Sequence, residues 1–303
     1  MTITSNLHVI SQVPVPFNES GEFAPEKLSH ILSARRTAAT DSLLVGAASV
    51  DESDWEISFR KRLFRQVAEQ APAAPRLIAD VNAATPERAA DLAREAAELG
   101  YDAISLCLSV ATTEGLFSGR SFVRAVATAS SLPIYVRIFD RPRGDATLDH
   151  FSEFLEKVKI GGVFVYCHDS RLLRGLRRHP ATAETFCGLE ESLMAHLTFG
   201  ATGVVSHLAY FLAPLFREIQ EAVAQDDLFR AVALQKLTEG FVDVASHMGL
   251  LAATKGWLKL LGVDCGPCRG MNGCLTVEEW RSLAAWLEAY LRDASAPTPA
   301  LSV

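Results

Sequence analysis

The sequence predicts a parallel (β/α)₈ barrel followed by a helical extension, and three observations lead to this fold class. Short apolar runs alternate with segments of helical periodicity, which is the pattern of buried parallel strands joined by amphipathic crossover helices. The alternation repeats through eight units before residue 225. Beyond that residue only helical periodicity remains. Eight units favour a closed barrel, and an open doubly wound sheet is the alternative architecture.

Each predicted strand is a short run of apolar residues, and each predicted helix repeats apolar residues at three- and four-residue intervals. In chain order the strand and helix segments are 9–15 and 25–36, 42–46 and 55–70, 76–81 and 86–99, 103–108 and 122–130, 134–139 and 148–158, 162–166 and 171–178, 185–188 and 190–197, and 203–206 and 208–224. The last two units have the weaker patterns. We assign residues 1–225 to the barrel.

Helical patterns alone continue through 228–244, 250–261 and 277–292. We therefore predict a C-terminal helical extension over residues 226–293. Residues 294–303 are rich in proline and alanine, so we predict that this tail is disordered.

Composition limits the classes of protein to consider. The chain has 303 residues, of which 49% are apolar and 21% charged, enough for a large core. A net charge of -7 gives no reason to expect a nucleic-acid partner. No apolar run reaches the roughly 18 to 20 residues that span a bilayer, and the first residues lack a signal-peptide pattern. We expect a cytoplasmic protein with a small-molecule substrate, no membrane partner and reduced cysteines.

Short motifs in order from Val15 to Glu279 resemble those of the dihydrodipicolinate synthase and N-acetylneuraminate lyase family. Val15-Pro16-Phe17 is similar to the family's opening Thr-Pro-Phe. The other motifs are 79–82, 85–87, 97–102, 188–191, 199–206, Arg269 and 275–279. The resemblance covers nearly the whole chain and implies the barrel fold, lyase chemistry on a 2-oxo acid through a lysine Schiff base, and assembly as a homo-oligomer.

The chain departs from the family pattern where the chemistry would occur. Strand six is followed by Cys167-His168-Asp169-Ser170, where the family has Gly-Ile-Lys-Asp-Ser, so His168 takes the lysine position. An imidazole cannot form the same imine. The family's carboxylate-binding loop is replaced by 46–50, Gly-Ala-Ala-Ser-Val, and Phe139 stands where the family has a tyrosine.

Barrel enzymes build their sites at the carboxyl ends of the strands, which selects the candidate residues. We predict His168 as a general acid or base, assisted by Asp140 or Glu190. If the strand continues, His168 shares the inward face with Phe164 and Tyr166, whereas a one-residue slip would place Cys167 there. The predicted substrate-binding residues are Gly46, Ser49, Asn82, Arg137, Gly188, Ser206 and His207.

Other chemistry is less favoured by the sequence. His168, Glu190, His207 and Asp140 are metal-ligand types without a local spacing signature, so we predict no metal and no cofactor. Cys265 and Cys268, followed by Cys274, could form part of a zinc or redox site, but plain loop thiols are favoured. Lysines such as Lys255 lie on helices or loops and are predicted to be solvated.

Two functions remain open. One is a divergent lyase, or a related enzyme, acting on a small carbonyl compound, for which a 2-oxo acid is one candidate. The other is a non-catalytic barrel that binds or scaffolds. A barrel mouth plugged by Tyr166, Phe139 or Leu108 would favour the second.

Overall fold

The computed structural model describes residues 7–38, 40–47, 55–71, 76–109, 113–141, 151, 154, 160–178, 184–269 and 274–293. Eight parallel strands pair in chain order, and the last pairs with the first. The strands are β1 His8–Gln12, β2 Ser42–Val45, β3 Arg76–Asp80, β4 Ala103–Cys107, β5 Ile134–Ile138, β6 Ile160–Val165, β7 Thr185–Cys187 and β8 Gly203–Ser206. The predicted (β/α)₈ barrel is confirmed, and the open sheet is excluded.

Helices cover the outside of the barrel and continue after it. They are α1 Leu28–Ala38, α2 Ile57–Gln70, α3 Pro86–Glu98, α4 Thr113–Ala129, α5 Ser170–Arg178, α6 Leu193–Thr198, α7 Ala209–Ala224, α8 Leu228–Ser246, α9 Leu250–Leu260 and α10 Val277–Arg292. Of the predicted helix 148–158, the structure describes only Phe151 and Phe154, both helical and buried. The predicted tail 294–303 lies outside the described residues, as does most of that helix.

The first strand is shorter than predicted, because it ends at Gln12 and not at residue 15. Pro14 and Pro16 follow, and a proline has no N–H to donate to the ladder of a neighbouring strand. The segment after β1 therefore leaves the sheet.

The barrel interior is a packed core and not a pore. Alternate residues point inward, and those of the middle layer include Ile10, Leu44, Ile78, Phe164 and Phe186, all buried. The rings of Phe164 and Phe186 meet edge to face at 5.2 Å between centroids. With the centre filled, a ligand site in the barrel must lie above this layer, at the carboxyl ends of the strands.

Helices α8, α9 and α10 pack against the barrel through an aromatic cluster. The ring of Phe241 lies 5.6 Å from Phe211 of α7, 4.9 Å from Trp257 and 5.2 Å from Tyr290. Gln235 of α8 also reaches the loop after β7, where its amide donates to the Glu190 carbonyl (3.0 Å) and accepts from the Met194 N–H (3.0 Å). Among the described helices, none combines the length and apolar character needed to cross a membrane.

Candidate active site

A buried cluster of charges lies at the carboxyl end of the barrel, centred on Asp80 of β3. Only 1% of Asp80 is exposed. Its carboxylate accepts hydrogen bonds from Ser105 Oγ (2.8 Å) and Arg60 Nη2 (3.0 Å), and it forms an ion pair with Arg137 Nη2 (3.2 Å). Arg60 comes from α2 and also donates to the carbonyl groups of Asp80 and Asn82. Two guanidinium groups therefore share one buried carboxylate.

This Arg60–Asp80–Arg137 triad carries a surplus positive charge. Burial opposes the charge on Arg137, but attraction by Asp80, together with smaller contributions from Tyr166 and Cys107, outweighs it and raises the pKa of Arg137 above its ordinary value. Burial lowers the pKa of Arg60, although an arginine side chain keeps its proton in proteins. A buried charge without a full set of counter-charges is costly, so a triad of this composition favours the approach of an anion.

Three buried nitrogen atoms in or near the triad have no hydrogen-bond partner among the described residues: Arg60 Nε, Arg137 Nε and His207 Nδ1. Burial lowers the pKa of His207 to about 4, so its ring is neutral near pH 7. A buried polar atom left without a partner costs about 1 to 3 kcal/mol. A bound ligand that supplied these partners would recover that free energy.

Tyr166 lies on the inward face after β6, above the apolar layer. Its hydroxyl accepts from Gln12 Nε2 (3.3 Å), and its ring stacks on Phe139 with centroids 4.4 Å apart. Gly188 is required beside it, because a Cβ there would lie 2.5 Å from Tyr166 Cδ1. Burial raises the pKa of the phenol, which therefore stays protonated and can donate a hydrogen bond.

Glu190 follows β7 and is 4% exposed. Its carboxylate accepts from Ser206 Oγ at 2.5 Å. Burial raises the pKa of Glu190 to about 7, and its charge contributes to the raised pKa of Tyr166. A carboxyl group that titrates near neutral pH can both take up and release a proton at working pH, as a general acid or base must.

Comparison with known proteins identifies the family. The model of the dihydrodipicolinate synthetase family matches residues 6–290. The chain belongs to the dihydrodipicolinate synthetase family. The resemblance inferred from its motifs is thereby confirmed.

Relatives within this family include N-acetylneuraminate lyases. That of Actinobacillus pleuropneumoniae serotype 5b (strain L20) is 27% identical over 270 residues, which cover 86% of this chain and 90% of the relative. That of Rhizobium meliloti (strain 1021) is 26% identical over 289 residues, which cover 95% of this chain and 94% of the relative. The crystal structure of the Fusobacterium nucleatum N-acetylneuraminate lyase complexed with pyruvate has a TM-score of 0.83 at 22% identity, covering 94% of this chain and 97% of that one. This last likeness shows the shared fold.

His168, the residue that we placed at the family's lysine position, lies at the exposed rim and outside the buried cluster. Its side chain is 55% exposed, with Nδ1 3.0 Å from Ser192 Oγ and Nε2 3.7 Å from Glu191 Oε1. Strand β6 ends at Val165, and the Tyr166 N–H still donates to the Ile138 carbonyl of β5 (2.8 Å), whereas His168 lies two residues further along, in the loop before α5. The inward position at the end of this strand belongs to Tyr166.

The other predicted residues divide between the interior and the rim. Glu190 and Ser206 are brought together, and Arg137 and His207 lie in the buried region. At the rim, Asp140 accepts from Ser109 Oγ at 2.5 Å.

Three predicted substrate-binding residues contribute no described side chain to the cluster. The Asn82 side chain is exposed, while its carbonyl accepts from Arg60. Gly46 packs against Phe64 in a left-handed conformation, with φ of 72°. Ser49 lies outside the described residues.

Sequence reasoning missed Asp80, Arg60, Ser105 and Gln12 as members of the cluster. A signal existed for Asp80, because it is a carboxylate at the carboxyl end of strand β3, where barrel enzymes build their sites. No local signal marks Arg60, which reaches the barrel from a helix. In the part of the chain that the structure describes, no group of three metal-ligating side chains is close enough to hold a metal ion.

Proposed function

We propose that this chain is a lyase, or a closely related enzyme, that acts on a small carbonyl compound bearing a carboxylate, with a 2-oxo acid as the leading candidate. One observation carries the proposal: the surplus positive charge of the Arg60–Asp80–Arg137 triad lies beside two proton-carrying groups, Tyr166 and Glu190. Residues 160–170 contain no lysine, so the proposed route has no imine on strand β6.

Each group has a role that follows from its surroundings. Arg137 would attract the substrate carboxylate, for which a guanidinium is the best-matched side chain. The Tyr166 hydroxyl would donate to the carbonyl oxygen, where negative charge develops as an enolate forms. Glu190 would exchange the proton on the neighbouring carbon, because its pKa of about 7 makes both forms available. Together these groups would stabilise an enolate without covalent attachment.

The proposal is tested by proton NMR of deuterium uptake into the methyl group of pyruvate. We expect uptake with the unmodified chain and a loss of about 10²-fold or more in Glu190→Gln. His168→Ala is the matched comparison, and it should retain uptake because that side chain lies at the exposed rim. Uptake that disappears in His168→Ala and persists in Glu190→Gln would return the catalytic role to His168 and refute the role assigned to Glu190.

A non-catalytic barrel is the second candidate, and one observation favours it. Phe139, 50% exposed, stacks on Tyr166 at the mouth, as an aromatic plug would. A folded sample that binds pyruvate but shows no deuterium uptake would support a binding role instead of catalysis.

Homo-oligomer formation and a cytoplasmic location stay predictions. The first rests on the family resemblance, and the second on the sequence pattern. Light scattering of the purified chain measures its oligomeric state, and fractionation of cells that express the chain measures its location.

A further inference from the structure

The hydroxyl of Tyr166 has one hydrogen-bond partner among the described residues, the side chain of Gln12. Gln12 is the last residue of β1 and is buried. Its Nε2 donates to the Tyr166 hydroxyl oxygen at 3.3 Å. In the described part of the chain, the hydroxyl proton itself has no acceptor. The phenol therefore receives a hydrogen bond from Gln12 and keeps its own proton for another group.

The backbone fixes the position of Gln12. In the β1–β2 pair Gln12 lies opposite Leu44, and the N–H of the next residue, Val13, donates to the Leu44 carbonyl at 2.9 Å. The ring of His207 also forms a hydrogen bond with the Gln12 backbone. A substitution of the Gln12 side chain leaves all of these backbone bonds in place.

The ring of Tyr166 is held as well. Phe139 stacks on it with centroids 4.4 Å apart and planes inclined by 13°. Gly188 lies so close that an added Cβ would come within 2.7 Å of three carbons of the ring. With the ring fixed, the remaining freedom of the phenol is the direction of its O–H bond.

Gln12 restricts that direction. A phenol oxygen both donates and accepts, and its O–H bond lies near the plane of the ring, so the proton points to one side of the oxygen or to the other. A donor on one side occupies the lone pair there and repels the proton from that side. A proton aimed in advance can stabilise negative charge as it develops, without reorganisation during the reaction.

We propose that Gln12 is a positioning residue, which aims the Tyr166 proton at the carbonyl oxygen of the substrate. This inference rests on the function proposed above, in which Tyr166 donates to that oxygen while Arg137 binds the carboxylate. Gln12 acts through the phenol and touches no reacting atom. Its effect must therefore disappear when the Tyr166 hydroxyl is removed.

A double-mutant cycle with Tyr166→Phe tests this role. Gln12→Met keeps a side chain of similar length but removes the donor. It should lower the rate of deuterium uptake at saturating pyruvate about fivefold, the usual effect of one neutral hydrogen bond, and leave the half-saturating pyruvate concentration unchanged. Added to Tyr166→Phe, it should have no further effect. Gln12→Glu keeps the shape but accepts from the phenol, so it should lower the rate at least as much as Gln12→Met.

Oxalate separates the role of Gln12 from the proposed reaction, because it resembles the enolate of pyruvate and binds without turnover. Its Kd, measured by titration calorimetry, should rise about fivefold in Gln12→Met and not at all when the same change is added to Tyr166→Phe. Ser11→Ala is the matched control. Ser11 is buried on the opposite face of β1, so its replacement should change neither the uptake nor the Kd.

The outcomes distinguish the two proposals. Coupling between Gln12 and the Tyr166 hydroxyl in oxalate binding, without deuterium uptake, would refute the proposed reaction and leave the role of Gln12 standing. An equal effect of Gln12→Met with and without the hydroxyl would overturn that role, since the side chain would then act on the structure and not through the phenol. Full uptake in Gln12→Glu, or no oxalate binding by the folded unmodified chain, would overturn it as well.

Discussion

The buried carboxyl group of Glu190 should contribute to the pH dependence of the stability of this chain, and Glu190→Gln should remove that contribution. The unfolded chain releases the Glu190 proton near its ordinary pKa of 4.5, whereas burial keeps the proton on the folded chain until about pH 7. Between these values the folded state binds more protons than the unfolded state. The contribution of Glu190 to the free energy of unfolding therefore falls as pH rises from about 4.5 to about 7. Buried His196 and His207, whose pKa values are lowered to about 4, contribute with the opposite sign, so the Glu190 contribution is measured as a difference between two chains.

The size of the effect follows from the pKa difference. One pKa unit corresponds to about 1.4 kcal/mol, so Glu190 accounts for about 3 kcal/mol between the ends of this range. A glutamine retains an oxygen that accepts from Ser206 Oγ but carries no charge. Glu190→Gln should thus resemble the unmodified chain near pH 4.5 and exceed its free energy of unfolding by up to about 3 kcal/mol near pH 8.

Urea unfolding followed by circular dichroism, repeated from about pH 4.5 to about pH 8, measures this difference. Glu98→Gln is the matched control, because Glu98 is an exposed carboxylate at the end of α3. Its pH profile should follow that of the unmodified chain. If the difference in the free energy of unfolding between Glu190→Gln and the unmodified chain does not grow as pH rises from about 4.5 to about 7, the argument that burial holds the proton on Glu190 is refuted.

Three further substitutions test the barrel mouth. Asp80→Asn leaves the guanidinium groups of Arg60 and Arg137 buried without their counter-charge, so the free energy of unfolding measured in urea should fall by about 3 to 5 kcal/mol. Ser105→Ala removes only one hydrogen bond to Asp80 and should lower it by about 1 kcal/mol. Tyr166→Phe keeps the stack on Phe139 but removes the hydroxyl. Deuterium uptake into pyruvate should fall at least tenfold, while the midpoint of urea unfolding should change little. Unchanged uptake would exclude the phenol from the reaction. Gly188→Ala places a Cβ against the Tyr166 ring and should cost about 1 to 3 kcal/mol in the same unfolding assay, whereas full stability would show that the ring can move aside.

The barrel was predictable because its signal is local and repeated. Each strand is marked by a short apolar run, and errors arose mainly at strand ends. Pro14 and Pro16 would have indicated the true end of β1, since neither can donate to a ladder. No comparable residue marks the end of β6, where Tyr166 and Cys167 continue a strand-like pattern after the pairing has stopped at Val165.

The candidate site was only partly predictable, because its members meet through tertiary contacts. Arg137 and Glu190 follow from the rule that barrel sites lie at the carboxyl ends of strands. Arg60 could not be found in this way, since its guanidinium crosses from α2 to reach Asp80. The burial of Lys255 likewise depends on how the loops of Val15 and Pro267 close over α9, which helical periodicity does not reveal.

Gln235 bears on how this chain could be divided for experiments. A fragment cut after residue 225 would retain every strand, yet it would lose the side chain that holds the Glu190 carbonyl and the Met194 N–H. It would also uncover Phe211, whose ring the aromatic cluster of α8 and α9 now shields from water. Such a fragment would carry a loosened β7 loop and an aggregation-prone outer wall. The shortest piece suited to expression therefore runs through the end of α10.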